Sequence, residues 1–212
     1  MGMCFLLGCR YCPMVRMSTP QERWSRIIDA ITDESTLVVA SWTGDPDKPY
    51  AMDKMMKQFQ GIYEPDWDVE KQVVIAQPFM SYAVHDAVAK AGMAERLQQL
   101  HKRWLQFLKD GYDTIGECWG WGTHVHGWSC APTRDMVFYV LGVTPAEPGY
   151  ASARIAPHLG ALQWAKGSVP TPHGLIHVSV KGAVVEFDSP VPVVLELPNQ
   201  PAQCFPAGKH SV

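Results

Sequence analysis

The chain has 212 residues, 47% of them hydrophobic, and a formal net charge of −3. That length suits one domain, or one and a part, with ample material for a buried core. So small a charge gives no electrostatic footprint for nucleic acid or an anionic membrane surface, and no run of eighteen apolar residues is present to span a bilayer.

The N-terminus carries Cys4, Cys9 and Cys12. Cys9-x-x-Cys12 is half of a zinc pattern, and no second half follows at a suitable spacing. The segment is too short for a secretory signal, and Leu6-Leu7-Gly8-Cys9 lacks the basic leader of a lipoprotein site. Six cysteines in a chain of this size form no evident disulfide framework. Residues 1–18 are expected to be a disordered start, or to lie outside the native reading of the gene. With no leader and no apolar span, the default compartment is the cytoplasm.

Residues 20–32 read as a helix. Thr19-Pro20 provides a cap followed by proline in the first turn, and Trp24, Ile27, Ile28 and Ile31 recur at helical spacing. Residues 36–42 are a short apolar run, and 44–49 a turn rich in Gly, Asp and Pro. Residues 50–60 resemble a helix with Met52, Met55, Met56 and Phe59 on one face, a stripe that suits adaptable core packing. Residues 61–70 read as a surface loop.

Two helices follow, over 78–91 and 93–110. Met80, Val84, Ala87, Val88 and Ala91 share a face of the first, which Gly92 ends. Leu97, Leu100, Trp104, Phe107 and Leu108 share a face of the second, which Gly111 ends. The short turn between them predicts an antiparallel hairpin. Pro132 opens a further helix that runs to Leu141 and stops at Gly142. Beyond Pro148-Gly149, β-branched runs at 154–156, 162–165, 175–180, 183–187 and 191–195 alternate with Gly and Pro, predicting an antiparallel sheet.

Between the helices lies a loop, residues 116–133, with one carboxylate (Glu117), two histidines (His124, His126) and three tryptophans (Trp119, Trp121, Trp128). Long aromatic loops of this kind are usually functional. Indole faces beside a carboxylate and imidazoles suit a sugar, and eight tryptophans in the chain lean the same way, although large cores use tryptophan too. Glu117 has the setting of a general acid or base: burial against indoles raises a carboxyl pKa, and nearby cations or donors lower it. His124-x-His126 offers two side chains on one side of an extended strand, with Glu117, Cys118 and Cys130 near in sequence, but without a recognised metal spacing. The two cysteines are open to a nucleophilic or a disulfide reading, with no base placed for the former. His85 and His101, inside helices, read as surface or satisfied core residues.

The sequence His126-Gly127-Trp128-Ser129-Cys130-Ala131-Pro132-Thr133, followed by Val140-Leu141-Gly142-Val143-Thr144-Pro145, resembles the H-[AG]-W-S-x-x-P-T…VLGI-x-P signature of α-L-rhamnosidases of glycoside hydrolase family 78. The likeness continues through Glu147-Pro148-Gly149-Tyr150, Arg154-Ile155-Ala156-Pro157-His158-Leu159-Gly160 and residues 164–174. Upstream, Thr114-Ile115-Gly116-Glu117 resembles the family's T-x-x-E element. The match covers roughly residues 75–185; residues 20–70 match loosely and 1–18 not at all.

This resemblance implies a mainly α chain with a β tail: part of an (α/α)6 six-hairpin barrel over 19–146, then a small antiparallel β-sandwich over 147–212. It implies hydrolysis of terminal α-L-rhamnose with inversion and no organic cofactor. Glu117 takes the place of the general base, His126 lies at the sugar cleft, and Trp119 and Trp128 are its walls. The expected partner is a rhamnose-containing glycoside or oligosaccharide, neither nucleic acid nor membrane. The family's general acid sits upstream in an acidic stretch that nothing in residues 1–70 resembles; Asp45, Asp47, Glu64, Asp66 and Asp68 are available acids without a motif. The chain thus looks like the C-terminal portion of a rhamnosidase, and the missing barrel half is a candidate partner. Two other readings stay open: a non-catalytic carbohydrate-binding or scaffold remnant, and a metal-dependent hydrolase on His124, His126 and Glu117.

Overall fold

The computed structural model describes residues 20–38, 68, 70–119 and 122–212. The N-terminal cysteines, the 44–49 turn, the 50–60 helix and Asp45, Asp47, Glu64, Asp66 and Trp121 lie outside the described residues. The chain divides into two compact units, residues 1–91 with 102–131, and residues 92–101 with 132–212.

In the first unit, α1 (Pro20–Thr32) buries Ile28. Its last turn is tied off by the Thr32 hydroxyl, which donates to the Ile28 carbonyl at 2.6 Å. A short parallel pair follows, β1 (Leu37–Val38) against β2 (Val73–Val74). A 3-10 turn, Pro78–Met80, leads into α2 (Ser81–Lys90). Val88 is buried on the face read from sequence, but Met80, in the 3-10 entry turn, is 43% exposed.

The helix expected over 93–110 is broken into pieces: a 3-10 turn Ala94–Arg96, α3 (Leu97–His101), a second 3-10 turn Lys102–Trp104, and α4 (Leu105–Lys109). One core assignment is corrected. Leu108 lies in the last turn of α4, beside the chain's exit at Gly111. Phe107 stays buried, while Leu108 swings out and is 64% exposed.

The core of this unit is aromatic. Trp104, Phe107, Trp119 and Ala131 are buried together, with Ile75, Tyr82 and Ile115 against them. Trp119 stacks on Phe107 at 5.5 Å and meets Trp104 edge-on at 5.2 Å, geometries that suit the ring quadrupoles. Both buried indoles satisfy their N–H: Trp104 donates to the Ser129 carbonyl at 2.8 Å and Trp119 to the Ala76 carbonyl at 2.9 Å. His85 is buried edge-on to Trp104 at 5.5 Å.

α5 (Ala131–Asp135) carries Pro132 in its first turn and continues as a π-helical turn, Met136–Val140. Gly142 ends it with φ +72°, and a Cβ there would lie 2.0 Å from the Ala156 carbonyl oxygen, so only glycine fits. In the second unit Asp135 is fully buried. It accepts from Arg134 at 2.7 Å and lies 3.1 Å from His101 Nε2.

Two four-stranded sheets complete this unit. One has the order β10 (Gly208–Ser211), β7 (Val184–Ser189), β6 (Gly174–Lys181), β5 (Trp164–Thr171), antiparallel throughout. The other has the order β3 (Val143–Pro145), β4 (Ala153–Ile155), β8 (Val193–Leu195), β9 (Gln203–Phe205). The β runs read from sequence after residue 153 all fall in or beside strands, with one correction to the antiparallel expectation. β4 and β8 pair in parallel, Ala153 opposite Val193, because the chain runs through β5, β6 and β7 of the first sheet before returning. β3 precedes the Glu147 boundary read from sequence yet pairs with β4. Both sheets contribute to one core, including Val143, Ile155, Ile176, Val178, Phe187 and Leu195. Along β6 and β7 buried and outward residues alternate, the period expected of half-buried strands.

Among the described residues, no helix is long and apolar enough to cross a membrane.

Candidate functional site

The loop after α4 folds back on itself. The Glu117 N–H donates to the Thr123 carbonyl and the His126 N–H to the Ile115 carbonyl, each at 2.9 Å. The Thr114 hydroxyl closes on the His124 carbonyl at 2.6 Å. Gly122 makes the bend possible. It has φ +87°, and a Cβ there would stand 3.3 Å from Glu117 Oε2. Gly116 is constrained by space alone, since a Cβ would press on the Phe107 ring at 2.9 Å.

This bend brings Glu117 and His126 together through a residue the sequence reading passed over. The Thr123 hydroxyl donates to Glu117 Oε2 at 3.1 Å and lies 3.4 Å from His126 Nδ1. A hydroxyl has a single hydrogen to donate, so its donation to the carboxylate leaves its oxygen to accept from Nδ1–H. The chain Nδ1–H to Oγ1–H to Oε2 then fixes the orientation of both side chains and leaves the second carboxylate oxygen and Nε2 for a ligand. Both residues are half-buried.

The two tryptophans expected at the cleft have different settings. Trp128 is 64% exposed and faces Tyr82, with ring centroids 6.5 Å apart. Phe79 meets His126 edge-on at 6.2 Å. Trp119 instead lies in the aromatic core, its backbone N–H held by the Gln77 side chain at 2.8 Å. Phe79 and Tyr82 escaped the sequence reading because helical periodicity marks a face, not a distant loop that it meets.

The histidine pair separates. His124 stacks on Tyr112 at 4.5 Å, while His126 turns to Thr123. Among the described residues, Glu117, His124 and His126 do not assemble within metal-ligand distance of one another. Cys118 and Cys130 are both free thiols, which corrects the disulfide reading. Burial, and secondarily the Glu117 charge, pushes the Cys118 thiol up to about 12, so it stays protonated and weakly nucleophilic at neutral pH.

Residues 142–200 match the bacterial α-L-rhamnosidase C-terminal domain. An α-L-rhamnosidase of Alteromonas sp. (strain LOR) is 28% identical over 145 residues, covering 60% of this chain and 15% of that protein. The solved family 78 rhamnosidase of Bacillus sp. GL1 is 26% identical with a TM-score of 0.54, covering 71% of this chain and 19% of that one. The Aspergillus terreus α-L-rhamnosidase, 14% identical, shares the fold over 91% of this chain and 21% of its own, with a TM-score of 0.57. The chain thus spans well under a third of the length of these relatives. It is similar to α-L-rhamnosidases, among them one of glycoside hydrolase family 78, and its residues 142–200 match their C-terminal domain.

Proposed function

We propose that this chain supplies the water-activating side of an inverting α-L-rhamnosidase site. Its helical segments would belong to an (α/α)6 barrel, and the strands from Val143 onward to the following β-sandwich. Glu117 is the general base. It takes a proton from a water that attacks the anomeric carbon from the face opposite the leaving oxygen. Thr123 holds the carboxylate in place, His126 binds a sugar hydroxyl through Nε2, and the exposed face of Trp128, with Tyr82, walls the ring. Trp119 supports that wall from behind. The single observation that carries this reading is the Thr123 hydroxyl between Glu117 and His126.

Inversion needs a second carboxyl group, ~6.5–9.5 Å away across the scissile bond, to protonate the leaving oxygen. That acid would come from outside residues 70–212, in keeping with a chain that matches only the C-terminal portion of its relatives. The substrate would be a terminal α-L-rhamnoside; a Streptomyces avermitilis relative has been crystallised with L-rhamnose. No organic cofactor enters the scheme.

The test is nitrophenol release from a nitrophenyl α-L-rhamnoside by this chain combined with an N-terminal barrel half of a rhamnosidase. Glu117→Gln should lower turnover by ~10²–10⁴-fold, the usual size of lost general-base catalysis, and spare sugar binding. His126→Ala should weaken binding. Full activity in the Glu117→Gln protein sinks the assignment.

A second reading rests on Glu117 being the sole carboxylate of residues 114–130. One carboxylate with a histidine and an exposed indole suffices to bind a sugar without cleaving it. Binding of L-rhamnose by the chain, with no hydrolysis under any complementation, would favour this carbohydrate-binding role.

A further inference from the structure

The antiparallel sheet of the second unit turns one face to the core and the other to solvent. On the outer face two polar rungs cross all four strands. One runs Ser168, His177, Asp188, Lys209; the other runs Lys166, Ser179, Glu186, Ser211. Between them lies a groove of about 470 Å³. On the next rung, along β5 from Lys166, stands Trp164, 63% exposed. We propose that this face is a second, non-catalytic binding site for a short, neutral oligosaccharide.

The chemistry on the face selects that ligand. Within the groove Lys166 and Lys209 balance Glu186 and Asp188, Lys209 already lies 3.8 Å from Asp188, and exposed Lys181 opposite Trp164 adds one positive charge to the face. A single net positive charge is too weak a field to select phosphate or nucleic acid, and it does not attract a free cation. The face does offer alternating donors and acceptors at close spacing: carboxylates accept from vicinal hydroxyls, while ammonium groups donate to them. Ser168 and His177 are pre-oriented by their mutual hydrogen bond at 2.7 Å. Trp164 adds a flat apolar face for sugar C–H groups, and its N–H end remains able to bond a hydroxyl. Four strands at ~4.8 Å spacing make a track of roughly 14 Å, longer than one sugar ring. A second copy of the chain is a poorer occupant, because the centres of protein interfaces are depleted in charged residues. The site shares no residue with the Glu117 loop.

The experiment is calorimetric titration of the whole chain with a neutral rhamnan oligosaccharide, a dextran oligosaccharide and polygalacturonate; only the choice of rhamnan rests on the rhamnosidase reading. Binding of either neutral glycan is expected. Trp164→Ala and Asp188→Ala, both at solvent-facing positions, should each weaken it at least tenfold with unchanged far-UV circular dichroism. Glu117→Gln and His126→Ala should leave it unaltered, so this site and the loop site fail separately. The proposal is overturned by no heat with either neutral glycan, by preference for polygalacturonate, or by affinity that survives both sheet substitutions. It is also overturned if His126→Ala alone abolishes binding, or if sedimentation shows a dimer that Trp164→Ala dissociates.

Discussion

Glu117 Oε2 receives the Thr123 hydroxyl at 3.1 Å across a glycine bend, and that same hydroxyl faces His126 Nδ1 at 3.4 Å. The two residues of the proposed sugar site therefore depend on a third for their orientation. Thr123→Ala removes the hydroxyl and leaves Glu117 and His126 free to turn. A hydrogen bond to a charged group contributes about 1.5 kcal/mol or more, so L-rhamnose affinity should drop about tenfold. Thr123→Ser should restore it. Quenching of Trp128 fluorescence, compared across the three proteins, is the measurement; equal affinity in all three removes Thr123 from the site.

Gly142 links the last helical turn to β3 in a conformation and a space that exclude a side chain. Gly142→Ala should cost more than the ~1–2 kcal/mol of left-handed backbone strain alone, because its Cβ would overlap the Ala156 carbonyl. Gly122→Ala carries the backbone strain with only a 3.3 Å contact to Glu117, so it should destabilise less. Urea midpoints rank the two proteins; the reverse order would show that the β3 junction relaxes freely.

Cys118 gives stability a definite pH dependence. Its thiol, ordinarily near 9.0, is pushed up to about 12 by burial and then by Glu117. The unfolded chain releases this proton at lower pH than the folded one. Between pH 9 and 12 the unfolded state thus binds fewer protons, and stability falls as pH rises; below pH 9 the contribution is constant. Urea unfolding at pH 8 and pH 10.5 should show a loss in the wild type that is smaller in Cys118→Ala. In native protein at pH 8, iodoacetamide should alkylate the exposed Cys204 and leave Cys118 unmodified, as read by peptide mass mapping. Early labelling at Cys118 would contradict its burial.

Asp135 is a fully buried carboxylate held by Arg134 and His101. Removing one member of such a set strands its partners, at a typical cost of ~3–5 kcal/mol. Asp135→Ala should therefore lower the midpoint of thermal unfolding far more than Asp188→Ala, whose side chain is solvent-facing. Comparable midpoints would mean that water reaches the buried set.

The sequence by itself determined that helices precede a β region, the glycines that end three of the helical segments (Gly92, Gly111 and Gly142), and the likeness carried by residues 126–133 and 140–145. Those are local properties: apolar period, proline position and turn chemistry act over a few residues. Tertiary structure alone decided the rest. Trp119 and Trp128 are the same residue type in the same loop, yet one fills the core beside Phe107 and the other stands 64% exposed. His124 and His126 share a side of a notional strand, yet a bend that is not a strand sends one to Tyr112 and the other to Thr123. Leu108 shares a notional helical face with Phe107, yet Phe107 is buried and Leu108 is 64% exposed at the end of α4. The parallel β4–β8 pair arises only when the chain returns from the other sheet. In each case the deciding contact joins residues whose approach depends on how the backbone bends between them, and no periodicity along the chain encodes that bend.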